Sequence, residues 1–178
     1  MPEEPRPGPD EAPAGQDPPP PATGTDRPGR ARLTPALSGD GRAYVTADGR
    51  RLLFGPADVH GLDEAREHVV EGSTRRSGRR TGGHLYATVE AERREGQIAF
   101  PRDWDADRIM AAARPVIDRP ENLLLQGEHR IELSSTIDGV RLAVRIRLPK
   151  NGPAVVTVFP TGGVGVKRVH NGRLRDVG

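Results

Sequence analysis

The chain has 178 residues, among them 22 Gly, 18 Pro, no Cys and few aromatic residues (3 Phe, 2 Tyr and 1 Trp), and its formal net charge is +2. The lack of Cys excludes a disulfide framework, a thiol nucleophile and a Cys-ligated zinc site. No apolar run approaches the ~18–20 residues of a membrane-spanning helix, so we expect no insertion into a membrane.

The first 30 residues have the composition of a solvated tail. They hold ten of the 18 prolines and no Leu, Ile, Val or aromatic residue, and their three Arg stand against six Asp or Glu. Such a segment cannot bury enough apolar surface to offset the entropy lost when it is ordered. We therefore predict that residues 1–30 form a disordered, Pro-rich acidic linker.

Residues 31–56 are predicted to form an N-terminal extension with a candidate hairpin. Two short apolar segments, 43–46 and 51–54, flank Asp48-Gly49, and this dipeptide is typical of tight hairpin turns. Residues 57–178 follow as the main folded domain.

Two helices are predicted in the first half of this domain. Residues 58–71 carry apolar side chains at i, i+3 and i+7, which places His68 at the edge of an apolar stripe. The second helix begins at about Asp103 or Asp105, because Asp is a good N-cap, and it ends at Arg114, before a proline.

Between these helices lies a polar loop, residues 73–83, that is rich in arginine. The loop is long enough to fold back and bring His84 toward His68. Alternating apolar residues after the loop predict a strand that begins at or just after His84, with Leu85, Ala87 and Val89 on one face.

Residues 140–148 alternate strictly between apolar and other side chains, which predicts a half-buried strand. Its opposite face is basic and carries Arg141, Arg145 and Arg147. Residues 31–178 hold 24 basic and 19 acidic residues, and 25 of the 27 basic residues of the chain are Arg. The planar guanidinium fork matches phosphate, so this face favours an anionic partner. A GC-rich coding bias toward Arg codons is the alternative explanation.

Hairpin turns on either side of this strand predict an antiparallel sheet. Asp138-Gly139 joins it to residues 129–137, and Asn151-Gly152 joins it to residues 154–160. Residues 164–170 can add one more strand. An antiparallel sheet that follows short N-terminal helices belongs to the α+β class.

Two of the five histidines are candidates for acid–base catalysis. His68 ends a predicted helix, and His84 follows Gly82-Gly83, where a backbone or a phosphate can approach closely. Both imidazoles titrate near neutral pH, so one could take a proton while the other gives one. The alternative is that His68 is a partly buried packing residue. His60 and His68 are too far apart on a helix for one metal ion, and no metal or other cofactor is expected.

A phosphate groove is predicted where the arginines of the loop face the basic strand; these arginines are Arg75, Arg76, Arg79 and Arg80. The alternative is an ordinary solvated loop. Thr157, which alternation places on one face with Val155 and Phe159, is either a strand former or a hydroxyl donor to a phosphate. Few aromatic side chains are placed to stack bases, which argues against sequence-specific recognition of single strands.

In their order and spacing these segments resemble the bacterial EndoU-type RNase domain, which occurs at the C-termini of polymorphic and contact-dependent toxins. The matching stretches lie within about residues 60–161 and are Glu67-His68-Val69-Val70-Glu71-Gly72, Thr81-Gly82-Gly83-His84, Gly96-Gln97-Ile98-Ala99-Phe100-Pro101 with Trp104 and Ile109, Gly139-Val140-Arg141-Leu142 and Val156-Thr157-Val158-Phe159-Pro160. The resemblance implies that residues 57–178 are an EndoU-like RNase domain. Its small-RNase architecture places a curved antiparallel sheet after short helices, in the group that includes barnase-like and colicin-like toxins.

The same resemblance implies a metal-independent endoribonuclease. In this reaction a general base takes the proton of a ribose 2′-hydroxyl, whose oxygen attacks the adjacent phosphorus, and a general acid protonates the leaving 5′-oxygen. The products carry 2′,3′-cyclic phosphate and 5′-hydroxyl ends. His68 and His84 map onto the two family histidines, with base and acid unassigned, and Thr157 maps onto a late hydroxyl residue.

Two positions depart from the family pattern. Gln97 stands where the family usually has a Lys that balances the charge of the phosphorane, and Phe159 stands where Tyr is common. An arginine of the loop, Arg141 or Arg145 could supply the charge. The predicted RNA-binding residues are Arg75, Arg76, Arg79, Arg80, Gln97, Arg141, Arg145 and Phe159. The alternative function is a catalytically weak or inactive RNA-binding domain on the same fold.

Partners and location are expected from the same resemblance. RNA, for example tRNA, is the expected substrate, and a toxin implies an immunity protein that a basic cleft predicts to be acidic. Residues 1–5 are acidic and Pro-rich, unlike a secretory signal. We therefore expect a non-classical export route or delivery into the cytoplasm of a target cell, and otherwise a cytoplasmic protein. Alternatively, the chain is the end of a longer one.

Overall fold

The computed structural model describes residues 32–46, 49–126 and 129–178. Its helical segments are a 3-10 helix at Pro56–Asp58 and the α-helices α1 (Arg66–Val70), α2 (Tyr86–Glu92) and α3 (Ala106–Asp118). Together with the antiparallel strands, they confirm the predicted α+β class. The predicted tail over residues 1–30 lies outside the described residues.

The strands pair in antiparallel fashion. In chain order they are β1 (Arg32–Leu33), β2 (Ala36–Leu37), β3 (Tyr44–Val45), β4 (Ser73–Thr74), β5 (Arg80–Thr81), β6 (Ile98–Ala99), β7 (Asn122–Leu125), β8 (Arg130–Ile137), β9 (Val140–Arg147), β10 (Ala154–Gly163), β11 (Lys167–His170) and β12 (Arg173–Asp176). The largest sheet has the order β1-β7-β8-β9-β10 and a smaller one the order β12-β11-β6. Strands β2 and β3 form one two-stranded ribbon, and β4 and β5 form another.

The predicted meander over the last third of the chain is confirmed in β8, β9 and β10. The β8–β9 hairpin turns at Asp138 and Gly139, whose φ angles of 49° and 76° are those of a tight turn matched to the twist of the flanking strands. Ile137 pairs with Val140, and the register continues without a shift to Arg130 opposite Arg147.

The hydrophobic core lies between α3 and one face of the five-stranded sheet. Fully buried side chains of α3, such as Ile109 and Ile117, pack with Leu142, Val144 and Ile146 of β9. Each such side chain contributes roughly 1.5–3 kcal/mol when it leaves water. Because β9 alternates, the arginines on its opposite face are left uncovered by α3. No helix in the described ranges has the length and apolar character needed to cross a membrane.

The predicted helix over residues 58–71 is wrong for most of its length. Only Arg66–Val70 is α-helical. Gly61 has a φ of 77°, which a continuous helix does not allow. His60 instead forms a parallel bridge with Ala154, in which the amide of Val155 donates to the His60 carbonyl at 2.9 Å. The chain therefore enters α1 from the edge of β10, and α1 contacts that strand.

The predicted strand after His84 is also wrong, because this segment is α2, with Leu85 as its N-cap. Leu85 and Val89 are four residues apart, a spacing that fits both a strand face and one side of a helix. Val89 is fully buried, whereas Ala87, between them, is exposed. The alternation in the sequence was thus the i, i+4 contact of a short helix.

Helix α3 runs beyond the predicted end at Arg114 to Asp118, with Pro115 inside it. A proline inside a helix costs about 3 kcal/mol or more, since it removes a hydrogen bond and crowds the preceding turn. Continuing the helix buries Val116 and Ile117 completely, and roughly 1.5–3 kcal/mol for each of them offsets that cost.

The N-terminal extension joins the core of the main domain. Tyr44 is fully buried, packs edge-on against Phe54 and donates its hydroxyl to the carbonyl of Ile117. Backbone bonds link Tyr44 to Leu52 and to Phe54, as the candidate hairpin requires, although β3 pairs as a strand with β2. Asp48 of that hairpin lies outside the described residues.

Candidate active site

An open cleft of about 320 Å³ lies between α1, the β4–β5 ribbon and the uncovered face of β8, β9 and β10. None of the described residues that line it is acidic, and seven of the twelve are Arg or His. The lining residues are His68, Arg75, Arg79, Thr81, Gly82, His84, Arg130, Arg145, Arg147, Val156, Thr157 and Phe159. The cleft is therefore a strongly positive cavity that favours an anionic ligand.

The loop after α1 brings the two predicted histidines into this cleft. The amide of Gly83 donates to the carbonyl of His68 at 3.0 Å, and the amide of His84 donates to the carbonyl of Val69 at 2.6 Å. The chain between them folds into the β4–β5 ribbon, which holds Arg75 and Arg79 above the cleft. His68 and His84 thus face one cavity from two adjacent segments.

Gly82 allows this close approach. Its φ is 74°, and a Cβ at this position would overlap the carbonyl oxygen of His68 and lie 2.8 Å from Cε1 of the His68 ring. A side chain here would displace His68 or the loop that carries His84.

Gly82→Ala is therefore expected to lower the free energy of unfolding by about 1–3 kcal/mol more than Gly78→Ala, since overpacking adds to backbone strain. Gly78 is a matched control, because its φ of 77° is similar and no atom lies within 4 Å of its Cβ position. Urea denaturation of both variants measures the difference. Equal losses of stability would show that the Gly82–His68 contact is not tight.

His84 is held as a neutral imidazole with a defined tautomer. Its Nδ1 lies 2.9 Å from the carbonyl oxygen of Ile98, which can only accept, so Nδ1 carries the hydrogen and Nε2 keeps a free lone pair. Burial, the largest influence, lowers the pKa of His84, the hydrogen bond to Ile98 raises it, and the nearby charges lower it again, which together take it from 6.5 to about 4. At neutral pH, His84 is therefore a proton acceptor.

His68 is more exposed to the solvent than His84. Burial lowers the pKa of His68 below its usual 6.5, and the charge of Arg75 adds to this effect. Its Nδ1 lies 2.8 Å from the hydroxyl of Ser73, a group that can donate or accept. His68 can therefore exist in either protonation state, with Ser73 as its partner.

Two buried donors at the floor of the cleft lack a partner. Within the described residues, no group accepts a hydrogen bond from Nε of Arg145 or bonds to Oγ1 of Thr157, and Thr157 is only 7% exposed. The two residues pair across β9 and β10. Buried polar atoms are almost always hydrogen-bonded, because an unmade bond costs about 1–3 kcal/mol. Both residues line the cleft, so an anion bound there is the candidate acceptor for these two donors.

A β-bulge aims Thr157 into the cleft. The register between β9 and β10 shifts between Val155 and Thr157, so that one extra residue, Val156, is inserted. Val155 consequently faces the core, and Thr157 and Phe159 line the cleft. The expectation that all three share one face is wrong because simple alternation ignores the bulge.

Arg145 is oriented by two neighbours on the sheet face. Its Nη2 donates to Glu132 at 2.8 Å, and its guanidinium carbon lies 4.9 Å from the centre of the Phe159 ring. Phe159 also lies 6.0 Å from the His84 ring, centre to centre. A charged donor is thus fixed beside the neutral histidine.

Four predicted RNA-binding residues do not line the cleft: Arg76, Arg80, Gln97 and Arg141. Arg80 donates to Glu92 and to the carbonyl of Glu71, and Arg141 donates to the carbonyl of Gly178 at the other end of the β9 face. Gln97 is buried below the loop, where its amide donates to the Gly83 carbonyl at 2.8 Å and to Glu92. Gln97 therefore supports the segment that carries His84.

Arg130 and Arg94 were not predicted for the site, and Arg147 was placed on the basic face of the predicted groove without being named among the RNA-binding residues. Arg130 and Arg147 line the cleft. Arg94 supports it from outside, since its guanidinium donates to the carbonyls of Arg80 and Gly82 at 3.0 and 2.8 Å. The alternation of residues 140–148 already placed Arg147 on the basic face, whereas no local pattern marks Arg94 or Arg130.

Comparisons with known proteins leave the cleft to be interpreted from its own chemistry. No family model matches the chain, and no curated protein or solved structure is significantly similar to it. Within the described part of the chain, no group of three or more His, Cys, Asp or Glu side chains is arranged to hold a metal ion. The cleft therefore offers a ligand two histidines, two donors that lack a hydrogen-bond partner within the described residues, and several arginines.

Proposed function

We propose that the protein is a metal-independent endoribonuclease, which cleaves RNA by 2′-hydroxyl attack and leaves 2′,3′-cyclic phosphate and 5′-hydroxyl ends. One observation carries this proposal: the unpartnered Oγ1 of Thr157 and Nε of Arg145 lie in the same arginine-rich cleft as two histidines. A phosphodiester fits this set, because its oxygens accept from both donors while the histidines exchange protons with the two ester oxygens.

His84 is the general base of the proposed reaction, and His68 is the general acid. The low pKa and the free Nε2 of His84 suit it to take the proton of the 2′-hydroxyl. As the O2′–P bond forms and the P–O5′ bond breaks, protonated His68 gives its proton to the leaving O5′. His68 suits this role because it is the more exposed of the pair and its pKa is lowered less.

Arg145 supplies the positive charge for the phosphorane in this proposal. Its half-buried guanidinium, whose Nε is fully buried, is held in place before charge develops, and Thr157 adds a neutral donor on the neighbouring strand. EndoU-type domains usually have a Lys at the position that Gln97 occupies in this chain. Gln97 instead supports the loop beneath the cleft. The charge is thus supplied from β9 instead.

The dependence of kcat/KM on pH is expected to be bell-shaped, with its maximum between pH 4 and 6.5. Below the pKa of His84, near 4, the base is protonated and the rate falls. Above the pKa of His68, which lies under 6.5, the acid is deprotonated and the rate falls again. Initial rates on a fluorogenic RNA measure the profile. A maximum above pH 7 would contradict these roles.

Incubation of the full chain with total tRNA tests the proposed function. Cleavage in the presence of a metal chelator is the expected result, with fragments resolved on a denaturing gel. The alternative, an RNA-binding domain without catalysis, is favoured by the absence of a Lys at position 97. Salt-dependent RNA binding without any fragments would support that alternative and overturn the proposal.

The small-RNase architecture and a role as a toxin effector belong to the same proposal. Their support is the ordered set of sequence segments that resembles EndoU-type toxin domains. A toxin of this kind requires an immunity protein, and the positive cleft favours a partner with an acidic surface. Delivery into the cytoplasm of a target cell would bring the protein to its RNA.

A further inference from the structure

We propose that Arg130 and Arg147 form a second phosphate site, which binds the phosphate adjacent to the scissile one. The inference rests on the proposed function and deepens it: the substrate class becomes RNA strands with at least two consecutive phosphates. A dinucleotide, with its single phosphate, fills only the site at Arg145 and Thr157.

The first observation is a pair of like charges. Arg130 on β8 lies directly opposite Arg147 on β9, and both side chains are exposed at the cleft. Within the described ranges, neither guanidinium makes an ion pair or a side-chain hydrogen bond. Like charges directly across two strands repel each other, so this pair opposes folding when the cleft is empty. A phosphate bound between the two guanidinium groups attracts both of them and so outweighs their repulsion.

The second observation is that Glu132, an acid described on this sheet face, is already engaged. Glu132 follows Arg130 on the same face of β8, and its Oε2 accepts from Arg145 at 2.8 Å and from Gln126 at 2.9 Å. Its charge is therefore committed to orienting Arg145. Among the residues that the structure describes, the Arg130–Arg147 pair therefore keeps its positive charge for a ligand.

The third observation is the spacing along β9. Arg145 and Arg147 are two residues apart on the same face, which separates them by about 7 Å along the strand. This distance is comparable to the step between adjacent phosphates in an extended nucleic-acid strand. Arg141, at about 14 Å from Arg145 in the other direction, donates to Gly178 and does not line the cleft. The RNA strand therefore continues toward Arg147.

Short substrates with one cleavable position test the second site. We compare a dinucleoside monophosphate with two trinucleotides that contain a single ribonucleotide, at the first or second position, in an otherwise 2′-deoxy chain. The trinucleotides place the additional phosphate on one side or the other of the scissile one. For the wild type, kcat/KM is expected to be at least roughly tenfold higher for one trinucleotide than for the dinucleotide.

Arg147→Gln and Arg130→Gln are expected to remove most of this preference. The ratio of kcat/KM for the preferred trinucleotide to kcat/KM for the dinucleotide then falls toward one. Arg173→Gln is the matched control, because Arg173 is exposed on β12 and lies outside the cleft. It is expected to leave the ratio unchanged. Neither cleft variant is expected to lower the melting temperature, since each removes a like-charge repulsion.

A retained preference in both cleft variants, or equal rates of the wild type on all three substrates, would overturn the second site. If the wild type cleaves none of the three substrates, the proposed function fails. A measurement of oligonucleotide binding then tests the second site separately. The affinity for an uncleavable oligodeoxythymidylate then depends on salt, and Arg147→Gln is expected to reduce the slope of log K against log salt by about 0.7. An unchanged slope would overturn the second site on this measurement as well.

Discussion

His84→Ala is expected to reduce RNA cleavage by about 10²–10⁴-fold, because it removes the proposed general base. The low pKa of His84 and its Nδ1 contact with Ile98 leave a single atom, Nε2, to take the 2′-hydroxyl proton. The backbone amide that links this residue to Val69 remains, so the loop stays attached to α1. The loss is expected mainly in kcat.

His170→Ala is the control for this variant. His170 lies on β11, is exposed, and contacts Glu95 rather than any residue of the cleft. The His170→Ala variant is expected to cleave RNA at the wild-type rate. Initial rates are measured beside thermal unfolding of both variants, so that a loss of folding is recognised. Equal cleavage by His84→Ala and the wild type would remove His84 from the mechanism.

Arg145→Gln is expected to lower kcat by about 10²–10³-fold, the usual effect of losing a preorganised donor to developing negative charge. The new amide can still donate to Glu132, which also keeps its bond to Gln126, so the acid is not left unpaired. The positive charge beside Thr157 is what the variant removes. Kinetics at saturating RNA separate this loss from weaker binding.

Two further variants test which residue supplies the positive charge for the proposed reaction. Arg114→Gln removes an arginine that pairs with Asp118 on the surface of α3, away from the cleft, and is expected to leave the rate unchanged. Gln97→Lys, introduced into the Arg145→Gln background, places a Lys where the EndoU-type domains that the sequence resembles usually have one. Because Gln97 lies below the loop and not in the cleft, it is expected to give no rescue. Full rescue would show that a positive charge at position 97 can serve the reaction, and would contradict the assignment of this role to Arg145.

The sheet was predictable because its signals are local. The alternation from Val140 to Leu148 and the Asp138-Gly139 turn each specify their structure within a few residues, and the β8–β9 hairpin follows them without a shift. The meeting of His68 and His84 was also predictable, since the connecting loop is long enough and ends in two glycines. Strong periodicity and turn residues therefore predicted the scaffold of the cleft.

The errors arose where tertiary contacts decide between two local possibilities. Leu85 and Val89 fit a strand face and a helix side equally well, and the burial of Val89 selected the helix. The bulge at Val156, which turns Thr157 toward the cleft, leaves no mark in the alternation. Similarly, the sequence placed Arg141, Arg145 and Arg147 on one face. Which of them line the cleft depends on the end of β9 that the β4–β5 ribbon covers.

The chemical nature of the product ends tests the central proposal most directly. A short RNA that the protein cleaves is compared, by mass spectrometry of the fragments, with the same RNA carrying a single 2′-deoxy nucleotide 5′ to the scissile phosphate. We expect 2′,3′-cyclic phosphate and 5′-hydroxyl ends from the first RNA and no cleavage at that position of the second. Cleavage of the 2′-deoxy substrate, or fragments with 5′-phosphate ends, would contradict it.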